Sequence, residues 1–407
     1  MKRFPIALSL LAALVPLARI GCAQPPPMAV LSPEVSADRK VTFRLPAPNA
    51  KDVTVNGDFT HKAVPMVKDD ATGVWSVTVG PLDPNVYAYA FRMDGLNLPD
   101  PSNTFVRVGA MAFMSQVYVP GDGAAFLALR DVPHGEVHQL WYHSRALNAE
   151  RRVLVYTPPG YESGKVKDYP VLYLLHGMGD DEAFWTTVGR AHFIMDNLLA
   201  EKKAVPALIV MPTGHSGDGR SGGRGGRGRG ASGPGAGAAA RGDAGASAGA
   251  PGRAGAGRGG MFEVPMMETE LKENIIPMIE SQYRVSKDRK KRAIAGLSMG
   301  GYQSLAVGLD NLPLFAYVGG FSSAIVGSGM DTVVPSFLAD PAKANQQLKL
   351  LWLGCGSDDS LLAANKKFEE TLTAKGIKHE WTVTEGYAHW WTLWRVYLRD
   401  LLPKLFV

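Results

Sequence analysis

The sequence predicts an α/β fold with a mainly parallel sheet, preceded by a small all-β sandwich. Three observations predict it. Apolar residues alternate with a period of two over residues 38–120, with turn signals between the runs. Beyond His134, short apolar runs alternate with stretches of helical spacing. A Gly-x-Ser-x-Gly motif follows one of those runs and opens one of those helical stretches.

Residues 1–23 read as an export signal. Lys2 and Arg3 form a positive start, residues 6–17 are apolar, and Gly21-Cys22-Ala23 offers small residues for cleavage after Ala23. The apolar run is shorter than a bilayer span, and Pro5 and Pro16 interrupt it. A lipoprotein acylated at Cys22 is the other reading. Arg19, three residues before Cys22 where leucine is expected, stands against it. The expected location is periplasmic or extracellular. Cleavage would leave Cys355 alone, so no internal disulfide is expected and stability must come from the cores. Residues 24–37 are Pro-rich and polar and read as a linker.

Residues 38–120 read as the sandwich. Val41, Phe43 and Leu45 alternate, as do Val53 with Val55, Trp75 with Val77 and Val79, and Tyr87 with Tyr89 and Phe91. Asn56-Gly57 and Asp94-Gly95 read as hairpin turns. Gly73-Val74-Trp75, Pro81-Leu82, the strand Tyr87-Ala88-Tyr89-Ala90-Phe91 with Asp94-Gly95, and Asp100-Pro101-Ser102-Asn103 resemble the early-set, immunoglobulin-like modules that precede glycan-active enzymes. The resemblance implies a carbohydrate-binding-type module that binds sugar or packs on its enzyme. No aromatic platform is legible, which favours packing. Residues 121–133 read as a second linker.

The α/β unit spans residues 134–407. Residues 152–157, 171–175, 207–211, 293–296, 315–319 and 348–353 are apolar runs, as buried strands require. Residues 192–203, 266–283, 301–309, 361–375 and 391–402 have helical spacing, with Pro277 expected to kink the second. Residues 216–260 interrupt the unit. They hold 19 Gly and 11 Ala, too little apolar surface to offset the entropy of ordering, so a disordered insert is expected. Seven of its residues are Arg and two are Asp. The formal net charge of +5 therefore comes from the insert and the leader, and the remaining chain is slightly acidic. The insert has no aromatic residue to stack on bases, so no nucleic-acid partner is expected.

Gly296-Leu297-Ser298-Met299-Gly300 is the sharpest signal. A nucleophile elbow holds its serine in a strained strand-to-helix turn, where larger flanking residues would strike the adjoining elements. Ser298 is the candidate nucleophile. Its base and orienting acid are expected in the chain order Ser, Asp or Glu, His. Only His379 and His389 follow Ser298. His379 lies in the polar stretch Lys378-His379-Glu380 before a strand, which reads as surface. His389 follows that strand through Glu385-Gly386-Tyr387, at the sheet's carboxyl edge, and is the candidate base. Asp358 and Asp359 both end the preceding strand. One is the candidate acid, and the other a helix cap or first-turn charge. An oxyanion hole needs two backbone N–H groups. Met299 supplies one, and Met178 in His176-Gly177-Met178-Gly179 is the candidate for the other. The His176 side chain reads as structural.

Taken in order, these segments resemble the feruloyl and acetyl-xylan esterases of carbohydrate esterase family 1. They are Tyr173-Leu174-Leu175-His176-Gly177-Met178-Gly179 with Trp185, the elbow through Gly301, Gly354-Cys355-Gly356-Ser357-Asp358-Asp359-Ser360-Leu361, and Gly386-Tyr387-Ala388-His389-Trp390-Trp391-Thr392-Leu393-Trp394. They are similar also to esterase D and the enterochelin esterases. The resemblance implies an α/β-hydrolase fold, a serine esterase and, as the acid, the residue before Ser360-Leu361, which is Asp359. The insert departs from the family and leaves Ser298, Asp359 and His389 intact. Trp390, Trp391 and Trp394 read as core packing, and Cys355 as a small buried residue. No metal-ligand cluster or phosphate loop is present in the sequence, so no cofactor is expected. No other run is apolar enough to span a bilayer.

The expected function is an exported carboxylic-ester hydrolase that releases feruloyl or acetyl groups from cell-wall xylan. Its expected partner is thus a small-molecule or polysaccharide ester. The alternatives are a siderophore esterase and a non-catalytic glycan-binding protein on the same fold. The intact Ser298, Asp359 and His389 stand against the latter.

Overall fold

The structure is a computed structural model describing residues 30–60, 62–108, 113–215, 264–327 and 329–407. The leader 1–23 and the insert 216–260 lie outside these residues.

The first unit is a sandwich of two antiparallel sheets. Its strands are β1 (Glu34–Val35), β2 (Val41–Pro46), β3 (Val53–Gly57), β4 (Val64–Pro65), β5 (Val67–Asp69), β6 (Val74–Val79), β7 (Asn85–Met93), β8 (Leu96–Leu98), β9 (Val106–Val108) and β10 (Phe113–Val119). One sheet runs β1-β2-β6-β5. The other runs β4-β3-β7-β10-β9, with β8 on β7. The alternating residues close a core of Val41, Phe43, Leu45, Val53, Val55, Tyr89, Phe91, Val117 and Val119, as one apolar face per strand requires.

Two expectations for this unit change. β1 lies inside the segment read as a linker, and pairs Glu34 with Thr42. Ser32 pins it there, with its hydroxyl on Asp100 and the Arg44 N–H on that hydroxyl. Asn56-Gly57 is not a hairpin turn. Both residues are in β3, opposite Ala90 and Tyr89. A Cβ on Gly57 would stand 2.4 Å from the Phe59 ring, so close packing is what demands glycine. Asp94-Gly95 does turn the chain, between β7 and β8, with φ of 48° and 89°.

Residues 121–133, read as a linker, hold a 3₁₀ turn (Asp122–Leu127). Its Ala124 and Leu127 are fully buried in the core of the α/β unit. β7 is buried along Asn85–Phe91 on both faces, because its outer face meets that same core through Val86.

The α/β unit has one eight-stranded sheet. Its strands are β11 (Glu136–Ser144), β12 (Ala149–Thr157), β13 (Val171–Leu175), β14 (Leu208–Pro212), β15 (Arg292–Leu297), β16 (Tyr317–Phe321), β17 (Leu350–Gly356) and β18 (Glu380–Thr384). The order is β11-β12-β14-β13-β15-β16-β17-β18. The strands from β14 to β18 are parallel, and β11 and β12 add an antiparallel edge.

The helices are α1 (Phe184–Thr187), α2 (Ala191–Ala200), α3 (Val264–Glu270), α4 (Ile276–Gln282), α5 (Ser298–Asp310), α6 (Pro335–Ala339), α7 (Pro341–Gln347), α8 (Leu362–Ala374) and α9 (Trp391–Leu401). Ile194, Leu198, Leu393 and Tyr397 of α2 and α9 pack on one sheet face. Met267, Ile279, Leu305 and Leu372 of α3, α4, α5 and α8 pack on the other. Pro277 is accommodated by a π turn (Leu271–Ile275) between α3 and α4. The helix runs without a break through that turn, which puts the proline in the first turn of α4.

Arg395 on α9 joins the units. It is 1% exposed, its Nε donates to Val188 O at 2.8 Å, and its Nη1 donates to Val86 O at 2.8 Å and Asn85 Oδ1 at 3.1 Å. Arg395→Met would take that donor from Val188 O and Val86 O in a buried interface. The variant is expected to lose about 1–3 kcal/mol, read as a lower urea midpoint by circular dichroism. An unchanged midpoint would refute this.

Candidate active site

The sheet's strand order places the site. The chain leaves β13 for β14 on one side and returns as β15 on the other. Crevices open at the carboxyl ends of strands where such a reversal occurs. The turns after β13 and β15 are therefore neighbours. The position a Gly177 Cβ would take is 3.5 Å from the Ser298 Cβ.

Ser298 opens α5 directly after β15 with a φ of 52°. Left-handed backbone at a serine is strained, and it lifts the hydroxyl out of the sheet edge. The elbow closes only because Gly296 lacks a side chain. A Cβ there would sit 2.5 Å from Gly300 O and 2.8 Å from Leu175 O.

The His389 Nε2 stands 2.9 Å from Ser298 Oγ, and its Nδ1 stands 2.8 Å from Asp359 Oδ2. Asp359 is 5% exposed, and its Oδ1 accepts the Leu361 N–H at 2.9 Å. Burial pushes the Asp359 carboxyl up, but the bond to His389, that ring's charge and the Leu361 N–H outweigh it. The carboxyl is held below its ordinary range. The two loops carrying these residues are tied by backbone. The Gly386 N–H donates to Ser357 Oγ, and the Asp358 N–H donates to Tyr387 O.

The other sequence candidates fall elsewhere. Asp358 is exposed and its carboxylate accepts from Ser357. His379 bonds Ile377 O and Glu369. Its side chain is mostly covered, so it is no surface group as expected from its polar neighbours. Met178 and Ser298 line one cavity, with Met299 buried directly behind the serine. His176 is buried. Its Nε2 accepts the Gly214 N–H at 2.8 Å, which leaves its Nδ1–H for Gly177 O at 2.8 Å. This neutral imidazole fixes the Met178 turn. Cys355 is buried, and burial pushes its thiol up to about 12.

The cavity, of about 200 Å³, is lined by Ser298, His389, Met178, Trp390, Trp391 and Trp394, among others. Trp391 and Trp394 are buried in the core, as expected, yet they also form its wall. The Trp394 ring meets His389 edge-on at 4.8 Å. Three further lining residues had not been singled out from the sequence: Asp58, Arg107 and Asp180. Asp58 and Arg107 come from the sandwich. Burial pushes the Asp180 carboxyl up to about 7 against the pull of Arg107. The acidic run Asp180-Asp181-Glu182 after the glycine turn was a usable signal for Asp180. Nothing in the sandwich sequence marks the other two.

A hydroxyl bonded to an imidazole, itself held by a carboxylate, can attack an acyl carbon. The comparisons fit that chemistry. The esterase family model matches residues 144–237 and 259–405. Carbohydrate-binding module 48, the isoamylase N-terminal domain, matches residues 30–110. The endo-1,4-beta-xylanase/feruloyl esterase of Xylanibacter ruminicola is 31% identical over 379 residues, covering 92% of this chain and 46% of that relative. The chain thus spans about half the relative's length. A solved ferulic acid esterase superposes with a TM-score of 0.51 at 26% identity, covering 66% of this chain and 97% of the other. The enterobactin esterase of Shigella flexneri shares the fold across both units, with a TM-score of 0.60 at 18% identity, covering 89% and 92%.

The buried His176 makes a pH prediction. Burial pushes its pKa down to about 3, from about 6.5 in an unfolded chain. The folded state thus refuses a proton that the unfolded state takes. Its contribution is whole above about pH 6.5 and is lost as pH falls toward about 3. His176→Gln, which keeps an acceptor for Gly214, is expected to lose less stability than the unmodified protein between pH 6.5 and 4. Parallel loss in chemical denaturation at both pH values would count against the assignment.

Proposed function

The chain belongs to the esterase family, and from that premise we propose that it is a serine carboxylic-ester hydrolase working through Ser298, His389 and Asp359. The observation that carries the reading is the contact of His389 with Ser298 at 2.9 Å and with Asp359 at 2.8 Å, on a strained elbow. His389 takes the Ser298 proton as Oγ attacks the ester carbonyl. Asp359 holds the ring so that Nε2 faces the serine, and it balances the imidazolium that forms. The N–H groups of Met178 and Met299 receive the charge developing on the carbonyl oxygen. His389 then protonates the leaving alcohol. Water, activated by the same ring, releases the acid and restores Ser298.

The substrate we propose is a feruloyl or acetyl ester on xylan. The Xylanibacter relative is named for both xylanase and feruloyl esterase, and the sandwich matches a carbohydrate-binding module. Export to the periplasm or beyond, directed by residues 1–23, belongs to the same proposal and agrees with a polymeric substrate.

Ser298→Ala is expected to lower ester turnover at least about 1,000-fold with an unchanged circular dichroism spectrum. Turnover of methyl ferulate, acetylated xylan and a ferric catecholate triester separates the substrate classes, with the first two expected to exceed the third. A Ser298→Ala protein that keeps full activity on 4-nitrophenyl acetate would overturn the nucleophile. Preference for the catecholate triester would replace the xylan reading.

A further inference from the structure

The Gly177–Gly179 turn touches the nucleophile and is held from the sandwich side. Asp180 closes it, with its N–H on Gly177 O at 3.2 Å. Its carboxylate faces two ways. Oδ2 lies 3.4 Å from the place of a Gly177 Cβ, and Oδ1 meets Arg107 Nη2 at 3.5 Å. Asp180 is 7% exposed, so its charge is poorly screened and its partner matters. Arg107 belongs to β9 of the sandwich. Its guanidinium also lies over the Phe184 ring, 5.3 Å from the centroid. One residue of the first unit thus grips both ends of the five-residue stretch from Asp180 to Phe184. Gln116 of β10 adds a third tie, its Nε2 donating to Thr187 O at 3.1 Å.

The remaining anchors of this stretch lie within the α/β unit. Trp185 donates its indole N–H to Leu175 O at 3.0 Å, and Glu182 takes Arg152 at 2.6 Å. His215 reaches Asp180 O at 3.2 Å. None of these touches the Asp180 carboxylate. Among the described residues, the cation that faces this carboxylate is thus Arg107 of the sandwich, and the Gly177 N–H bonds the same carboxylate from the turn itself.

We propose that Arg107 is a positioning residue for ester hydrolysis: from the sandwich, it holds Asp180 and so fixes the turn that aims the Met178 N–H at the oxyanion. The proposal rests on the serine-hydrolase reading above. It gives the sandwich a part in the chemical step, separate from any grip on a polysaccharide. An oxyanion donor acts only where the developing charge will be, and a displacement of about 1 Å can cost about 100-fold in rate.

The test uses the full chain and 4-nitrophenyl acetate, whose acyl group is too small to reach far from Ser298. Arg107→Met is expected to lower kcat about tenfold or more while KM moves less than about threefold, the pattern of an interaction made in the transition state alone. Affinity for phenylboronic acid, which forms a tetrahedral adduct on the serine, should fall in parallel, and acetate inhibition should not move. The double variant Arg107→Met with Asp180→Asn removes both charges and carries the test if the single variant fails to fold. Its kcat is expected near that of Arg107→Met, because the two act as one unit. Retained kcat on the small ester, even with a raised KM for feruloylated xylan fragments, would overturn the proposal, as would losses that multiply in the double variant. If the unmodified protein turns over no ester, the hydrolase reading falls first. If it does and Arg107→Met matches it, only this inference falls.

Discussion

The site depends on one close approach of backbone to backbone. Gly300 can carry no side chain, because a Cβ would lie 2.4 Å from His176 O and 2.6 Å from Leu175 O. The first turn of α5 is therefore pressed onto the end of β13. That contact fixes two things together: the left-handed turn at Ser298, and its distance from the Met178 turn. A larger residue at position 300 would push these apart, and close-packed interiors have no slack to absorb the shift. The remaining members of the site are hung on the same edge. Asp359 follows β17 and His389 follows β18, and their loops are stitched by the Asp358 N–H on Tyr387 O and the Gly386 N–H on the Ser357 hydroxyl. The geometry at Ser298 is thus set by the register of β15 with β13 and β16.

The Met178 turn is less secure, because only one of its sides faces the sheet. Residues 180–188 form a wall shared between the two units. Arg395 holds it at Val188 from α9, and Arg107 holds it at Asp180 from the sandwich. His176 holds its start through a neutral imidazole between two backbone groups. The turn is a short loop whose position is set by directional bonds from three surrounding elements.

Much of this was legible in the sequence. The elbow, the candidate base and the strand–helix alternation could be read because each is local. A Gly-x-Ser-x-Gly after an apolar run specifies its own turn, and parallel strands are apolar throughout because both faces are covered. Choosing Asp359 over Asp358 was not local. Both end the same strand, and only the hydrogen bond to His389 distinguishes them physically. What could not be read was pairing at a distance. β1 is illegible because two residues carry no period, and its pairing with β2, with Ser32 meeting Asp100 sixty-eight positions on, is what makes them a strand. Asn56-Gly57 has turn chemistry but ends β3, paired with Ala90 and Tyr89 on β7. Arg107 stands between Val106 and Val108 and Asp58 follows Asn56-Gly57, and the meaning of both comes only from docking on the other unit.

That docking is made with buried charge, and this choice carries information. Burial raises the carboxyls of Asp58 and Asp180, and Arg107 opposes it at both, joined at Asp58 by Arg395. Replacing such a cluster by well-packed apolar residues commonly costs no stability. An apolar seam, however, tolerates sliding, whereas a guanidinium with three backbone and amide acceptors does not. Arg395 reaches from α9 to both β7 and the wall with a single side chain, so rotation of the sandwich would break its bonds to Val86 and Val188. A site with one wall on another unit needs orientation more than it needs adhesion. The charges at this seam fit that need, and stability is left to the three apolar cores.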